Sequence, residues 1–233
     1  MTPTLRRLGL AALLVPASLA FASGALFGSL PPTRDAAARV ERILHAHGAT
    51  FVRVPTGARV ARAIVAVEDQ RFFEHGAIDP VAVGRVVVSG VTHPGQDPGG
   101  STIAQQLAKI LYVRRPDSLL GRVQAIGLAF GLEHDYSKQQ ILELYLNAVF
   151  FGHGYYGVGQ AAHGYFDRDP GALSWRQAAL LAGLPQAPSA YDPVAHPALA
   201  LERRRQVLGR LAAAALLPGT RASRLARAPL GIT

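Results

Sequence analysis

Residues 8–30 read LGLAALLVPASLAFASGALFGSL, 23 residues without one charged side chain. As a helix this run spans roughly 34 Å at ~1.5 Å per residue, enough to cross the hydrocarbon core of a bilayer. Arg6 and Arg7 precede it, and basic residues flanking a span stay on the cytoplasmic side. The run therefore predicts a cytoplasmic N-terminus over 1–7, a transmembrane anchor over 8–30 and a domain over 31–233 on the outer face. The small residues of ASLAFAS are also spaced as in a cleaved leader; the retained anchor is the expectation. Pro16 and the glycines weaken such a helix without excluding it.

Beyond the run, 203 residues are enough for one domain with a substantial core. Aromatics supply only 7% of the chain against 49% hydrophobic residues, so Ala, Leu and Val dominate, which favours helix over strand. There is no cysteine, which excludes disulfides, thiol catalysis and cysteine zinc sites. The net charge of +9 suits nucleic acid, anionic lipid or a phosphorylated substrate, and does not choose among them.

Periodicity predicts helices over 34–47, 60–75, 101–113, 119–135, 137–150, 174–183 and 198–217. Residues 81–91 are apolar and β-branched, and fit either a strand or a helix resting on lipid. The stretch 92–100, THPGQDPGG, reads as a loop and a candidate mobile segment. No repeat and no second domain is visible, and the class is mainly α.

Three stretches could carry chemistry. In 60–79, Val60, Ile64, Val67 and Phe72 mark one helical face, and Glu68 sits on or beside it. A carboxylate against apolar neighbours has its ionised form disfavoured, which raises its pKa and makes it a better base. Asp69 and His75 lie close by; the alternative is a boundary glutamate paired with Arg71 or another arginine. In 99–112, GGSTIAQQLAKILY, a buried stripe of Ile103, Leu107, Ile110 and Leu111 leaves Gln105, Gln106 and Lys109 on another side. Lys109 is one of only two lysines in the chain. Ser101 can cap this helix, whose free first-turn amides make an anion site. Lys109 lies about 10 Å further on, too far to hold the same oxygen as the cap. An ordinary capped helix with a solvated polar face fits equally well. In 133–165, Ile141, Leu142, Leu144, Tyr145 and Leu146 are expected in the core, with Glu143 and Asn147 a hydrogen-bonded pair. His153 and His163 lack metal-ligand spacing, and no metal site is expected.

Together the three stretches resemble the peptidoglycan glycosyltransferases, and most closely the monofunctional membrane-anchored form without a transpeptidase domain. EDQRFFEH at 68–75 is similar to the first family motif, GGSTIAQQLAK at 99–109 to the second, and SKQQILELYLN at 137–147 with the following glycine-aromatic run to the later ones. The resemblance implies a lysozyme-like domain that polymerises lipid II. It implies that Glu68 is the general base taking the proton of the acceptor's 4-hydroxyl, which attacks the anomeric carbon of the growing chain with inversion and release of undecaprenyl pyrophosphate. Lys109 would hold the donor pyrophosphate, and Asp69, Ser101, Thr102, Gln105, Gln106 and Arg122 would contact substrate. The implied cofactor is at most a divalent cation, Mg or Mn, at that pyrophosphate. The implied partners are lipid II, the growing glycan, the bacterial cytoplasmic membrane, and transpeptidases or other cell-wall synthesis proteins, with no nucleic acid. The implied location is the inner membrane, single-pass, with the catalytic domain on its periplasmic face.

The sequence departs from that pattern at several places, among them Gly121 where an arginine and Asp117 where a basic residue is expected. Counted without a gap from Lys109, the third motif falls on GRVQA at 121–125, so Arg122 keeps a basic group while Ala125 stands where a second carboxylate is expected. Ala77 stands at an expected glycine. The alternative expectation is a non-catalytic lipid II-binding or scaffold protein with a degenerate site, with Glu143 a substitute carboxylate if turnover is kept.

Overall fold

The computed structural model describes residues 28–84 and 100–233. The expected anchor over 8–30, apart from its last residues, and most of 81–91 and 92–100 lie outside the described residues. No helix among the described residues is long and apolar enough to cross a membrane.

The domain is mainly helical. In chain order the elements are α1 (Ala36–Ala46), α2 (Arg59–Glu68), α3 (Ile103–Tyr112), α4 (Leu119–Asp135), α5 (Lys138–Ala148), α6 (Gly157–Phe166), a 3-10 turn (Pro170–Ala172), α7 (Trp175–Gly183), α8 (Pro197–Ala213) and α9 (Gly219–Arg227). Among the described residues the only β feature is an isolated bridge between Phe150 and Tyr156.

Local sequence starts several of these helices. Ser137 and Ser174 each form a reciprocal capping box, with Gln140 and Gln177 respectively. Ser118 caps α4. α5 is the central helix: Ile141, Leu142, Leu144, Tyr145 and Leu146 are buried, as expected, and Asn147 is buried with them. It packs on α3 and α1, while α7 packs on α2 and α8. Asn147 does not pair with the side chain of Glu143. Its Nδ2 donates to the Glu143 carbonyl at 2.8 Å and to the Val52 carbonyl at 2.9 Å, and its Oδ1 accepts from the Val52 amide at 2.9 Å. It thus fastens the 49–54 segment to α5.

Several boundaries differ from the periodic reading. The helix expected over 60–75 ends at Glu68, because Asp69 leaves helical backbone at φ −159° and ψ 75°. Ile110, expected in the buried stripe, is 41% exposed. Two helices were not anticipated, α6 and α9. α6 contains three glycines, which disfavour helix intrinsically, yet contact demands them: a Cβ at Gly164 would lie 2.2 Å from the Tyr155 ring. α9 is held by Arg204, fully buried in α8, whose guanidinium donates to the carbonyls of Ala226, Ala228 and Pro229 at the end of α9.

The start of the domain is also fixed. Thr33 Oγ1 donates to Asp135 Oδ2 at 2.6 Å, and the Thr33 carbonyl accepts from the Tyr112 hydroxyl at 3.1 Å. Residue 33 is thereby tied to the C-terminal ends of both α3 and α4.

Candidate active site

A cleft of about 890 Å³ opens between α2, α3 and α8, with Glu68, Ser101, Thr102, Gln106, Lys109, Tyr145, Arg203 and Arg210 among its lining. Glu68 is the last residue of α2 and turns its carboxylate into this space. Gln106 Nε2 donates to Glu68 Oε2 at 2.8 Å. The other end of that amide, Oε1, accepts from the Tyr145 hydroxyl at 2.8 Å. Burial holds the Glu68 carboxyl above its ordinary value of 4.5, against the Gln106 hydrogen bond and the positive charges of Arg203 and Arg210. Glu68 is therefore a partly desolvated carboxylate with one designated donor among the described residues, and Arg71, the partner considered from sequence, pairs with Asp79 instead.

Asp69, expected to contact substrate, has both oxygens committed within the protein. Oδ1 lies 2.6 Å from His75 Nε2, and Oδ2 accepts from the backbone amide of Ile103 at 3.0 Å. Asp69 is thus bound to the first residue of α3 and fixes the start of that helix beside the end of α2. The capping role expected of Ser101 belongs to Thr102, whose hydroxyl accepts from the Gln105 amide. Ser101 instead accepts from Lys109 Nζ at 3.1 Å. The separation judged from helix rise is overturned: side chains on a helix lean toward its N-terminus, and the lysine reaches back to the first turn. Lys109 and the amino-terminal end of α3 therefore face one ligand space together.

Thr102 and Gln105 are turned inward to Ala77. Thr102 Oγ1 donates to the Ala77 carbonyl at 3.2 Å and Gln105 Nε2 donates to it at 2.8 Å. Gln105 and Arg122 do not line the cleft; Arg122 is exposed on α4. Ala77 takes no positive φ, so an alanine is accommodated where the resemblance led one to expect glycine. Ala125 is fully buried and does not line the cleft, and neither does Glu143. Glu143 is thus not placed to stand in for a second carboxylate.

Two basic cleft residues escaped the sequence reading, Arg203 and Arg210 of α8. Arg203 Nε donates to the Gly183 carbonyl at 3.1 Å, and burial lowers its pKa below the usual guanidinium range. Arg210 donates to the Val67 carbonyl at 3.1 Å. The only signal available was the basic run ERRRQVLGR, whose register toward α2 depends on the fold.

Among the described residues, Asp69, His75 and Asp79 offer ligand atoms within 4.8 Å of one another. Asp69 is committed as above, His75 Nδ1 lies 2.6 Å from the Gly76 carbonyl, and Asp79 serves Arg71 and the Val81 amide. These residues do not fit a metal centre.

The sequence profile of the family described as Transglycosylase matches residues 43–212. Over 151 residues the chain is 44% identical to penicillin-binding protein 1F of Bacillus subtilis, covering 65% of this chain and 21% of that protein. Over 152 residues it is 45% identical to penicillin-binding protein 1A of Aquifex aeolicus, with coverage of 65% and 21%. Over 153 residues it is 38% identical to penicillin-binding protein 1A of Haemophilus influenzae, with coverage of 66% and 18%. The chain spans about a fifth of the length of these relatives.

Proposed function

The chain belongs to the transglycosylase family, and from that membership we propose that it polymerises lipid II into peptidoglycan glycan strands on a lysozyme-like domain. The observation that carries the reading is Glu68 itself: a carboxylate with a raised pKa, hydrogen-bonded from α3, in a cleft that also holds Lys109, Arg203 and Arg210. A base must be ionised yet basic, and partial burial against one donor supplies that balance.

In the proposed reaction, Glu68 takes the proton from the acceptor's 4-hydroxyl as that oxygen bonds to the donor's anomeric carbon. The bond from that carbon to the undecaprenyl pyrophosphate oxygen breaks on the opposite side, which inverts the centre to a β-1,4 link. The departing pyrophosphate carries the bonding pair, and the cationic groups at Lys109, Arg203 and Arg210 offset its charge. Such a leaving group needs fixed positive charge more than a strong acid. Ser101 shares the Lys109 contact at the start of α3. Asp69, Thr102 and Gln105 support the site by fixing the start of α3 and the 77 turn.

We place the anchor at 8–30 and the domain at 31–233, on the outer face of the bacterial cytoplasmic membrane. The hydrogen bonds at Thr33 and Tyr112 would set the cleft close to the membrane, where a lipid-linked substrate lies. The scaffold alternative is less favoured, because a purely binding cleft has no need of a desolvated, hydrogen-bonded carboxylate at its centre.

The test is polymerisation of labelled lipid II by the full chain in detergent. The native chain should make glycan, and Glu68→Gln should lower the rate by roughly 100-fold or more. A native chain that binds lipid II without extending it would defeat the enzymatic reading.

A further inference from the structure

We propose that Tyr145 is a positioning residue for the base: its buried hydroxyl holds the Gln106 amide with the NH2 end turned to Glu68. The proposal deepens the reading of Glu68 as the base of the transfer and rests on it.

A primary amide presents an oxygen and an NH2 of nearly the same shape, so packing alone does not choose its orientation. Here chemistry at both ends chooses. Ionised Glu68 only accepts, so it demands the NH2 of Gln106. That leaves the amide oxygen facing α5, where the Tyr145 hydroxyl donates to it at 2.8 Å. Tyr145 is 1% exposed. Burial and the Glu68 charge push its phenol far above the ordinary range. It therefore remains a protonated donor at every working pH.

The three groups form one directed chain, from Tyr145 hydroxyl to Gln106 amide to Glu68 carboxylate. Donation into the amide oxygen polarises the amide and strengthens its N–H bond to the carboxylate. If Glu68 is protonated, the amide can turn over: the carboxylic acid donates to the amide oxygen and the NH2 donates to the tyrosine oxygen. Both arrangements are satisfied, but only the first contains a charge-assisted bond, which is roughly twice as strong as a neutral one. Removing the hydroxyl therefore costs the ionised form more than the protonated form. The charged groups that act on Glu68 from the surrounding elements are Arg203 and Arg210 of α8 and its neighbour Asp69, and Tyr145→Phe changes none of them.

The variant Tyr145→Phe keeps the buried ring and removes only the hydroxyl. The decisive measurement is the titration of Glu68 itself, by carbon-13 NMR of full chain labelled at glutamate. The chain has six glutamates, and the Glu68→Gln spectrum identifies the signal. The expected result is an upward shift of the Glu68 midpoint by about half a pH unit in Tyr145→Phe. The acidic limb of the lipid II polymerisation rate should shift with it. In a Gln106→Leu background the same change should produce no further shift, because Tyr145 acts through Gln106. An unmoved midpoint in Tyr145→Phe, or an equal shift with Gln106 absent, overturns the proposal and leaves Tyr145 as core packing. The NMR titration does not require turnover, so an inactive native chain would count against the enzymatic reading while the relay was still tested.

Discussion

The carboxylate of Asp69 accepts the backbone amide of Ile103 at 3.0 Å, so the residue beside the candidate base holds the helix that carries Gln106 and Lys109. One bond links the end of α2 to the beginning of α3, across 34 positions of sequence. The same carboxylate meets His75, which stabilises the turn leaving α2.

Asp69→Ala should therefore act first on stability. It leaves the Ile103 amide without its acceptor and should cost about 1–3 kcal/mol, read as a lower melting temperature of the full chain in detergent. Asp69→Asn keeps an acceptor for that amide and should recover part of the loss. Polymerisation should fall in proportion to the loosening of α3. A stability identical to the native chain in Asp69→Ala, with activity abolished, would instead make Asp69 a group that touches substrate.

How much of this was legible in the sequence depends on the range of the interaction. The spans of α4, α5 and α7 follow from apolar spacing and serine caps, which are local. The end of α2 does not, because it is set by the Asp69–Ile103 bond and the chain's own propensity would continue the helix. α6 was hidden by glycines whose reason is the Tyr155 ring packed against Gly164. At the site, Glu68, Gln106 and Lys109 could be singled out from their types and neighbours. The reach of Lys109 to Ser101 could not be judged from helix rise, which measures the backbone and not a long side chain. Arg203 and Arg210 meet Glu68 only through the packing of α8 on α2, and no local pattern announces that.

The raised pKa of Glu68 has a consequence for stability. A carboxyl whose folded pKa lies above its unfolded value binds its proton more tightly in the folded chain. Its stabilising contribution is complete below the ordinary value of 4.5 and is lost as pH rises through the folded pKa. Activity runs the other way, since the base must be ionised. Glu68→Gln, which carries no titrating proton, should therefore melt higher than the native chain at pH 7, and the difference should vanish as pH falls below about 4.5. Melting curves of the two chains from pH 4 to pH 8 check this. A gap that widens toward acid would mean that Glu68 is stabilised as an ion, with its folded pKa lowered.

Ala125 allows the sharpest separation of sequence pattern from geometry. Counted along the chain it stands where the resemblance calls for a second carboxylate, and restoring that group is the obvious repair. In the structure Ala125 is fully buried on α4, which packs against α3, and it does not line the cleft. A glutamate there would bring a charge into an apolar seam with no designated partner. Ala125→Glu should cost about 3 kcal/mol or more, a fall in Tm of roughly 6–12 °C for a domain of this size. It should not raise lipid II polymerisation per folded molecule. Ala125→Gln adds the same bulk without the charge and should fall less at pH 7, and the two variants should converge at pH 4, where the glutamate takes up a proton. A gain of activity in Ala125→Glu would show that α4 can turn this position into the cleft and that the missing carboxylate limits the native rate.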